Sequence, residues 1–279
     1  MLTVVVPCWN SEQFLERCLA SLAGAPAGTL EVIVVDNESS DRTLAIVASH
    51  RHLVSRIISE RDRGQSDALN KGFRAATGTF VCWLNSDDEF VGGALARMLP
   101  ILEQADDDWF TAGMVWVDEA SRVVRCSPPL PHCGLLDRFG ATGIGGPSSF
   151  VRRATLAKVG EFDEALHYSM DTDMWYRLHR QKVQLQVLAF YVWAFRIHPG
   201  SKTSHVHLGE RMNEGMTRDR MVLAERYGFG TTKLDEALLI AGTRGLGLLS
   251  GRDVRAWRDT RRYRGRHVSE LLGGSPAAR

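Results

Sequence analysis

A doubly wound α/β fold, with a mainly parallel sheet flanked by helices and a helical C-terminal extension, is what this 279-residue sequence predicts. Three observations carry that reading. Short β-branched runs alternate with amphipathic helical segments as far as Asp88. The runs are apolar throughout rather than alternating, as strands covered on both faces are. The composition, 44% hydrophobic and 24% charged, is that of a chain able to bury a core.

The elements follow in order. Leu2–Val6 is a continuous apolar run stopped by Pro7 and reads as the first strand. Ser11 offers a helix N-cap, Phe14, Leu15, Cys18, Leu19 and Leu22 share one helical face, and Gly24 is the stop. Glu31–Val35 is a second strand, after which Ser40 or Asp41 caps a helix to about Ser49. Leu53–Ile58 is a shorter strand, Ser66–Ala76 a helix and Thr79–Leu84 a fourth strand. Beyond Asp88 the rhythm loosens. Gly92–Glu103 reads as helix, Trp109–Val117 and Arg122–Arg125 as a hairpin, and Ser127–Gly146 as a long functional loop. Ser149–Val151 is a strand, Asp171–Gln181 a helix and Leu185–Phe195 a strand. Gly209–Tyr227 and Leu234–Leu249 are helical, and Arg252–His267 is Arg-rich.

Composition closes off several classes. The apolar content excludes a disordered chain, and 26 scattered Gly exclude a collagen-like one. Lys and Arg number 34 against 33 Asp and Glu, so no overall field draws the chain to nucleic acid. Five irregularly spaced Cys suggest reduced thiols in a cytoplasmic protein. The N-terminus reads as a strand rather than a signal peptide, and no apolar stretch is long enough to span a bilayer.

Ligands of open α/β sheets bind beyond the carboxyl ends of the strands. Four such ends carry polar groups: Pro7-Cys-Trp-Asn10, Asp36-Asn-Glu-Ser39, Glu60-Arg-Asp-Arg-Gly-Gln65 and Asn85-Ser-Asp-Asp88. One acidic strand end is ordinarily a turn or cap; four on one edge point to a site. The adjacent carboxylates of Asp87 and Asp88 suit Mg²⁺ or Mn²⁺ held together with substrate phosphates.

Four segments resemble glycosyltransferase family 2 proteins: residues 4–10, 32–43, 59–72 and 77–88. Two more, Val159 to Arg177 and Arg196-Ile-His-Pro-Gly-Ser-Lys-Thr-Ser204, follow in the family's order. The resemblance implies a GT-A (Rossmann-like) fold and an inverting, metal-dependent transfer of a hexosyl or deoxyhexosyl group from a nucleotide-sugar donor to a glycan or lipid-linked acceptor. Residues 1–205 would form the catalytic domain, 1–100 binding the nucleotide sugar and 101–205 the acceptor, with 206–279 a basic extension. By the same resemblance Pro7, Asn10, Asp36 and Ser39 would surround the nucleoside. Glu60, Arg63, Gln65 and Asn70 would line the diphosphate and donor sugar. Asp88 would coordinate Mn²⁺ or Mg²⁺ directly with help from His198, and Asp87 would contact the ribose or act through water. Asp171 matches the catalytic base, but Met170 stands where many relatives carry Glu, so Asp173 remains an alternative. The two carboxylates lie about 200° apart around a helix, so only one can face the sugar. Asp36 suits a base N–H of uracil, thymine or guanine, leaving UDP, dTDP and GDP donors open.

Other signals have plainer readings. Cys126, His132 and Cys133 lack a second pair at zinc-finger spacing, and His205 and His207 fit a solvent-facing pair. Trp175 and Tyr176 could stack on an acceptor sugar or sit in the core. The segment Gly143 to Ser149, with Ser148, lacks a dinucleotide-type strand–turn–helix context and reads as an acceptor-side loop. Between Arg252 and His267 seven Arg face two Asp, downstream of an apolar face of Leu234, Ala237, Leu238, Ile240 and Ala241. That tail suits an anionic membrane surface as well as it suits packing on the catalytic domain or on the partner in a homodimer. Two other functions compete: a sugar nucleotidyltransferase, disfavoured because no Gly-rich basic loop follows the first strand, and a catalytically silent nucleotide-sugar-binding protein.

Overall fold

The computed structural model describes residues 1–130, 143–203 and 212–271. The strands are β1 (Leu2–Cys8), β2 (Leu30–Asp36), β3 (Arg56–Ser59), β4 (Phe80–Trp83), β5 (Glu89–Phe90), β6 (Trp109–Val117), β7 (Val123–Ser127), β8 (Ser149–Arg152) and β9 (Leu185–Arg196). The helices are α1 (Leu15–Ser21), α2 (Thr43–Ser49), α3 (Gln65–Ala75), α4 (Ala94–Glu103), α5 (Arg153–Val159), α6 (Met170–Arg180), α7 (Glu214–Tyr227), α8 (Lys233–Leu249) and α9 (Arg252–Tyr263). Among the described residues the strands form one sheet in the order β3-β2-β1-β4-β8-β6-β9-β5, with β7 paired on β6. β1 runs parallel to β2 and β4, and β2 parallel to β3. β8 is antiparallel to both β4 and β6, while β6 and β9 are parallel. β5 is antiparallel to β9 and β7 to β6, so the mixed α/β sheet expected from the sequence is present, with its longest pairings parallel.

The continuous apolar strands reflect burial on both faces. Val4 and Val6 of β1 and Val32 and Val34 of β2 join one core cluster with Leu15, Cys18 and Leu19 of α1. Val5, Ile33 and Val35, the alternate residues, join a second cluster with Ala68 and Leu69 of α3 and Met174 of α6. Successive side chains of a strand point to opposite faces, so each strand supplies both cores. Gly72 lets α3 approach closely: a Cβ there would stand 2.3 Å from Val5 Cγ1.

Several boundaries differ from the sequence reading, each for a local reason. Ser11 does not cap α1 with its side chain; its Oγ accepts the Trp9 N–H at 3.1 Å, and Phe14 is the N-cap. Asp41 rather than Ser40 supports α2, accepting from Thr43 N at 2.9 Å. Leu53 and Val54 belong to a turn in which both N–H groups donate to His50 O, so β3 starts at Arg56. The two-residue β5 and the seven-residue α5 are too short to show a period.

The C-terminal elements are bonded to the sheet and to α6. Asp219 of α7 accepts from Tyr168 N and Ser169 N. Arg226 pairs with Asp163 and Asp173. Asp259 of α9 accepts from the Tyr191 hydroxyl at 2.6 Å.

One buried charge organises the rim of the sheet. Arg196, at the end of β9, is fully buried. Its guanidinium donates to Glu89, to Asp87 O at 2.8 Å, to Asp118 O at 2.9 Å and to Ser121 Oγ at 3.1 Å. Removing it would leave the buried Glu89 carboxylate unpaired. Arg196→Met is expected to cost about 3–5 kcal/mol, read as the change in unfolding free energy in a urea titration; a loss within about 1 kcal/mol would contradict this assignment.

Candidate active site

A cavity of about 810 Å³ opens where β1, β4 and β9 end and α6 begins. That size lies within the range of small-molecule sites. Pro7 and Asn10 line it from β1, Gln65 from α3, Asn85 and Asp87 from beyond β4, Asp171 from α6 and His198 from beyond β9.

The β1 and β2 ends are braced together. Asn10 adopts a left-handed conformation with φ 47°. Its N–H donates to Ser39 Oγ at 2.9 Å, and its Oδ1 accepts from Ser40 N at 2.9 Å. Ser39 therefore shapes the site through Asn10 and does not itself line the cavity. Asp36 is fully buried. Its Oδ2 accepts from Ser39 N and Ser59 Oγ, and its Oδ1 has no protein partner.

The acidic turn after β4 divides its two aspartates. Asp88 turns inward: Oδ1 accepts from Arg196 N at 2.9 Å, and Oδ2 from Asn85 Nδ2 at 2.9 Å and Trp193 Nε1 at 3.0 Å. Burial and the adjacent Asp87 charge hold its carboxyl well above the usual carboxylate range. Its oxygens face three protein donors and it does not line the cavity, so this arrangement lends no support to direct coordination of a cation by Asp88. Asp87 faces the cavity instead, with Oδ2 3.0 Å from His198 Nε2. The His198 ring lies against Phe14, centroids 4.8 Å apart. Gln65 Nε2 donates to Asn85 Oδ1 at 2.8 Å, closing the floor. Among the described residues no group of three or more His, Cys, Asp or Glu converges on one point. One carboxylate and one imidazole suit a divalent ion whose remaining ligands are phosphate oxygens and water.

On the opposite wall, the first turn of α6 presents Asp171. Its Oδ1 accepts from Thr172 N at 2.7 Å. Its Oδ2 lies 3.1 Å from where a Cβ on Gly146 would stand, so a side chain at 146 would crowd this carboxylate. Burial raises its pKa, opposed by the Thr172 hydrogen bonds and the Lys202 ammonium. Asp173 is turned away, bonded to Arg177 at 2.8 Å, Arg226 at 2.6 Å and the Tyr227 hydroxyl at 2.6 Å. Its carboxylate holds α7 against α6 and does not reach the cavity.

Asp36 also lies outside the lining, as do five other expected residues. Glu60 is exposed and pairs with Lys71 at 3.2 Å. Arg63 pairs with Glu164 at 2.7 Å. Asn70 exchanges hydrogen bonds with the Phe162 backbone, a structural clamp between α3 and the segment before α6. Trp175 is buried between Trp83 and Trp109, ring centroids 6.1 and 5.4 Å away. Ser148 is buried and donates to Gly145 O at 2.9 Å. Asn70, Ser148 and Trp175 are used inside the fold, while Glu60 and Arg63 form ion pairs at the surface, uses that sequence spacing does not distinguish from ligand contact. Conversely, Asn85, Lys202, Tyr168 and Trp193 line the cavity without having been singled out. Asn85 and Lys202 sit inside the motif segments, so the signal for them was present. His132, Cys133, His205 and His207 lie outside the described residues.

A family model described as Glycosyl transferase family 2 matches residues 3–145. An uncharacterized glycosyltransferase of Rickettsia prowazekii is 24% identical over 64% of this chain and 59% of its own length. The amylovoran biosynthesis glycosyltransferase AmsB of Erwinia amylovora is 26% identical over 67% of this chain and 66% of its own. The chain thus spans less than two thirds of these relatives. Among solved structures, S. aureus TarS 1-349 in complex with UDP-GlcNAc has a TM-score of 0.63 at 21% identity, covering 88% of this chain and 72% of that one. A mannosyltransferase from Pyrobaculum calidifontis in complex with GDP-Man and Mn²⁺ has a TM-score of 0.56 at 16% identity, covering 94% and 84%. At these identities the likeness shows the shared fold, that of GT-A glycosyltransferases.

The two aspartates of the turn should behave differently on removal. Asp88→Ala, which strands three donors, is expected to lower unfolding free energy by about 2–4 kcal/mol. Asp87→Ala, which loses a cavity-facing carboxylate and its bond to His198, should cost no more than about 1 kcal/mol. Equal losses in paired urea titrations would contradict the division of roles.

Proposed function

The chain belongs to glycosyl transferase family 2, and from that premise we propose that it transfers a sugar from a nucleoside-diphosphate donor to a hydroxyl of a glycan or lipid-linked acceptor, inverting the anomeric centre. The observation that carries this reading is that Asp171 and the Asp87–His198 pair line one cavity large enough for a donor and an acceptor group. Residues 1–205 are read as the catalytic domain, with the donor held by 1–100 and the acceptor by 101–205, and 206–279 as the extension.

The chain's own groups divide the work. The buried, unpartnered Oδ1 of Asp36 is an acceptor suited to a base N–H, which fits UDP, dTDP or GDP. Pro7 and the braced Asn10 form the wall against the nucleoside. Asp87 and His198 would hold Mn²⁺ or Mg²⁺ beside the diphosphate; when bound, such an ion supplies positive charge against the negative charge that develops on the leaving phosphate. Gln65 and Asn85 orient this corner through their mutual hydrogen bond. Asp171 accepts the proton of the acceptor hydroxyl as it attacks the face of the sugar opposite the leaving group. The Thr172 N–H fixes the carboxylate at Oδ1, leaving Oδ2 for the proton. Burial makes Asp171 a stronger base than an exposed aspartate, while the Thr172 hydrogen bonds and, to a lesser degree, the Lys202 ammonium favour its ionised form. Cys8, Cys18, Cys82 and Cys126 are buried, unbridged thiols, in keeping with a reducing cytoplasmic setting.

A panel of UDP-, dTDP- and GDP-sugars with Mn²⁺ tests the reading: nucleoside diphosphate release supports it, whereas pyrophosphate release, or neither release nor binding, overturns it. Asp171→Asn should keep nucleoside diphosphate binding by calorimetry and lower kcat by about 10²–10⁴-fold; full activity would move the base elsewhere. Because the base must be ionised, kcat should fall as pH drops through the raised Asp171 pKa. The acid limb is therefore expected above the ordinary carboxylate value of about 4. Lys202→Met should move that limb to higher pH, and a limb unchanged in this variant would contradict the coupling.

A further inference from the structure

The α8–α9 pair leaves apolar side chains in solvent in a pattern that catalysis does not use. Leu234, Leu238, Ala241, Gly245 and Leu248 recur along one side of α8 at helical spacing. Leu234, Leu238, Ala241 and Leu248 on that side are all exposed. The exposure peaks around Gly251, whose left-handed conformation (φ 70°) turns α8 into α9. Leu248 is 66% exposed, Leu249 90%, Val254 64% and Trp257 62%. A soluble helix ordinarily buries such residues, so a cluster of four at one corner marks a surface awaiting a partner.

The orientation of α9 is fixed from behind. Asp259 accepts from the Tyr191 hydroxyl, Cys126 N donates to Thr260 Oγ1 at 2.9 Å, and Arg255 donates to Ala189 O at 2.7 Å. Val254, Trp257 and Arg261, roughly half a turn around the helix from Asp259, must therefore face outward. The charge beside the apolar corner is one-sided. Arg252 and Arg258 are matched by Asp253 and Asp259. Arg261, Arg262, Arg264 and Arg266 are exposed and pair with no carboxylate among the described residues. Arg261 instead lies over the Trp257 ring, 5.0 Å from its centroid.

We propose that the α8–α9 corner docks the protein onto an anionic lipid bilayer, Leu248, Leu249, Val254 and Trp257 entering the interface while Arg261, Arg262, Arg264 and Arg266 engage lipid phosphates. Exposed aliphatic and Trp side chains beside unpaired arginines have the composition of interfacial helices. A second copy of the chain is the poorer occupant, because joining two such faces would oppose two sets of uncompensated arginines. A negatively charged surface complements them. Among the described residues no helix is long and apolar enough to cross a membrane.

The test is co-sedimentation of the full chain with vesicles of phosphatidylcholine alone or with one part in three phosphatidylglycerol. Binding should be at least about tenfold stronger on the anionic vesicles and should weaken with salt. Leu248→Asp with Leu249→Asp, and separately Arg261→Glu with Arg262→Glu, should each lower partition at least about tenfold with unchanged circular dichroism. Equal binding to both vesicle types, no binding, or binding that both double variants retain would overturn the proposal. So would a concentration-dependent dimer in light scattering that Leu248→Asp with Leu249→Asp abolishes, because it would assign the face to a second copy. Donor turnover in solution is expected to be the same in these variants, so vesicle binding and transfer chemistry fail or hold separately.

Discussion

The candidate site depends on the stitching of the acidic turn after β4 to the end of β9 by Arg196 and Asp88. The Arg196 guanidinium pairs with Glu89 and caps carbonyls at Asp87 and Asp118, while its own N–H donates to Asp88. A buried ion pair contributes little net stability compared with an apolar replacement, yet breaking it leaves an uncompensated charge in the interior. Its effect here is positional. With residues 87–89 and 196 locked together, Asp87 and His198 have few arrangements open to them, and their side chains meet at 3.0 Å.

The same logic extends outward. Asp88 holds Asn85 and Trp193, Asn85 accepts from Gln65, and Gln65 begins α3. On the other wall Asp173 spends its carboxylate on Arg177, Arg226 and Tyr227, fixing α6 and α7. In each pair of neighbouring acids, 87 with 88 and 171 with 173, one is consumed as a fastener and the other is left facing the cavity. Pre-organised charge of this kind does not have to reorganise as a reaction proceeds, which is where electrostatic stabilisation is largest.

The strand and helix order was legible in the sequence because it rests on local patterns. Apolar β-branched runs and the 3.6-residue spacing of Phe14, Leu15, Cys18, Leu19 and Leu22 describe burial directly, and the structure buries all five. Parts of the motif segments meet at one cavity, and the family they pointed to is the one the chain belongs to. Boundaries at Ser11 and Leu53 were misread, and the choice between Ser40 and Asp41 was left open, because caps and turns depend on which of several nearby oxygens a given N–H finds. Short elements such as β5 and α5 carried no period to read.

What the sequence determined by itself was therefore the α/β order, the family and the short list of strand ends where chemistry gathers, since each follows from contacts between near neighbours or from ordered motifs. Which member of each polar pair turns outward was decided only by the tertiary structure. Asp88, Asp173, Asn70 and Trp175 have the same chemistry as true ligand contacts, and their partners, Arg196, Arg226, Phe162 and Trp109, lie tens of residues away along the chain. A buried polar group must find a partner somewhere, and where it finds one is a property of the assembled fold.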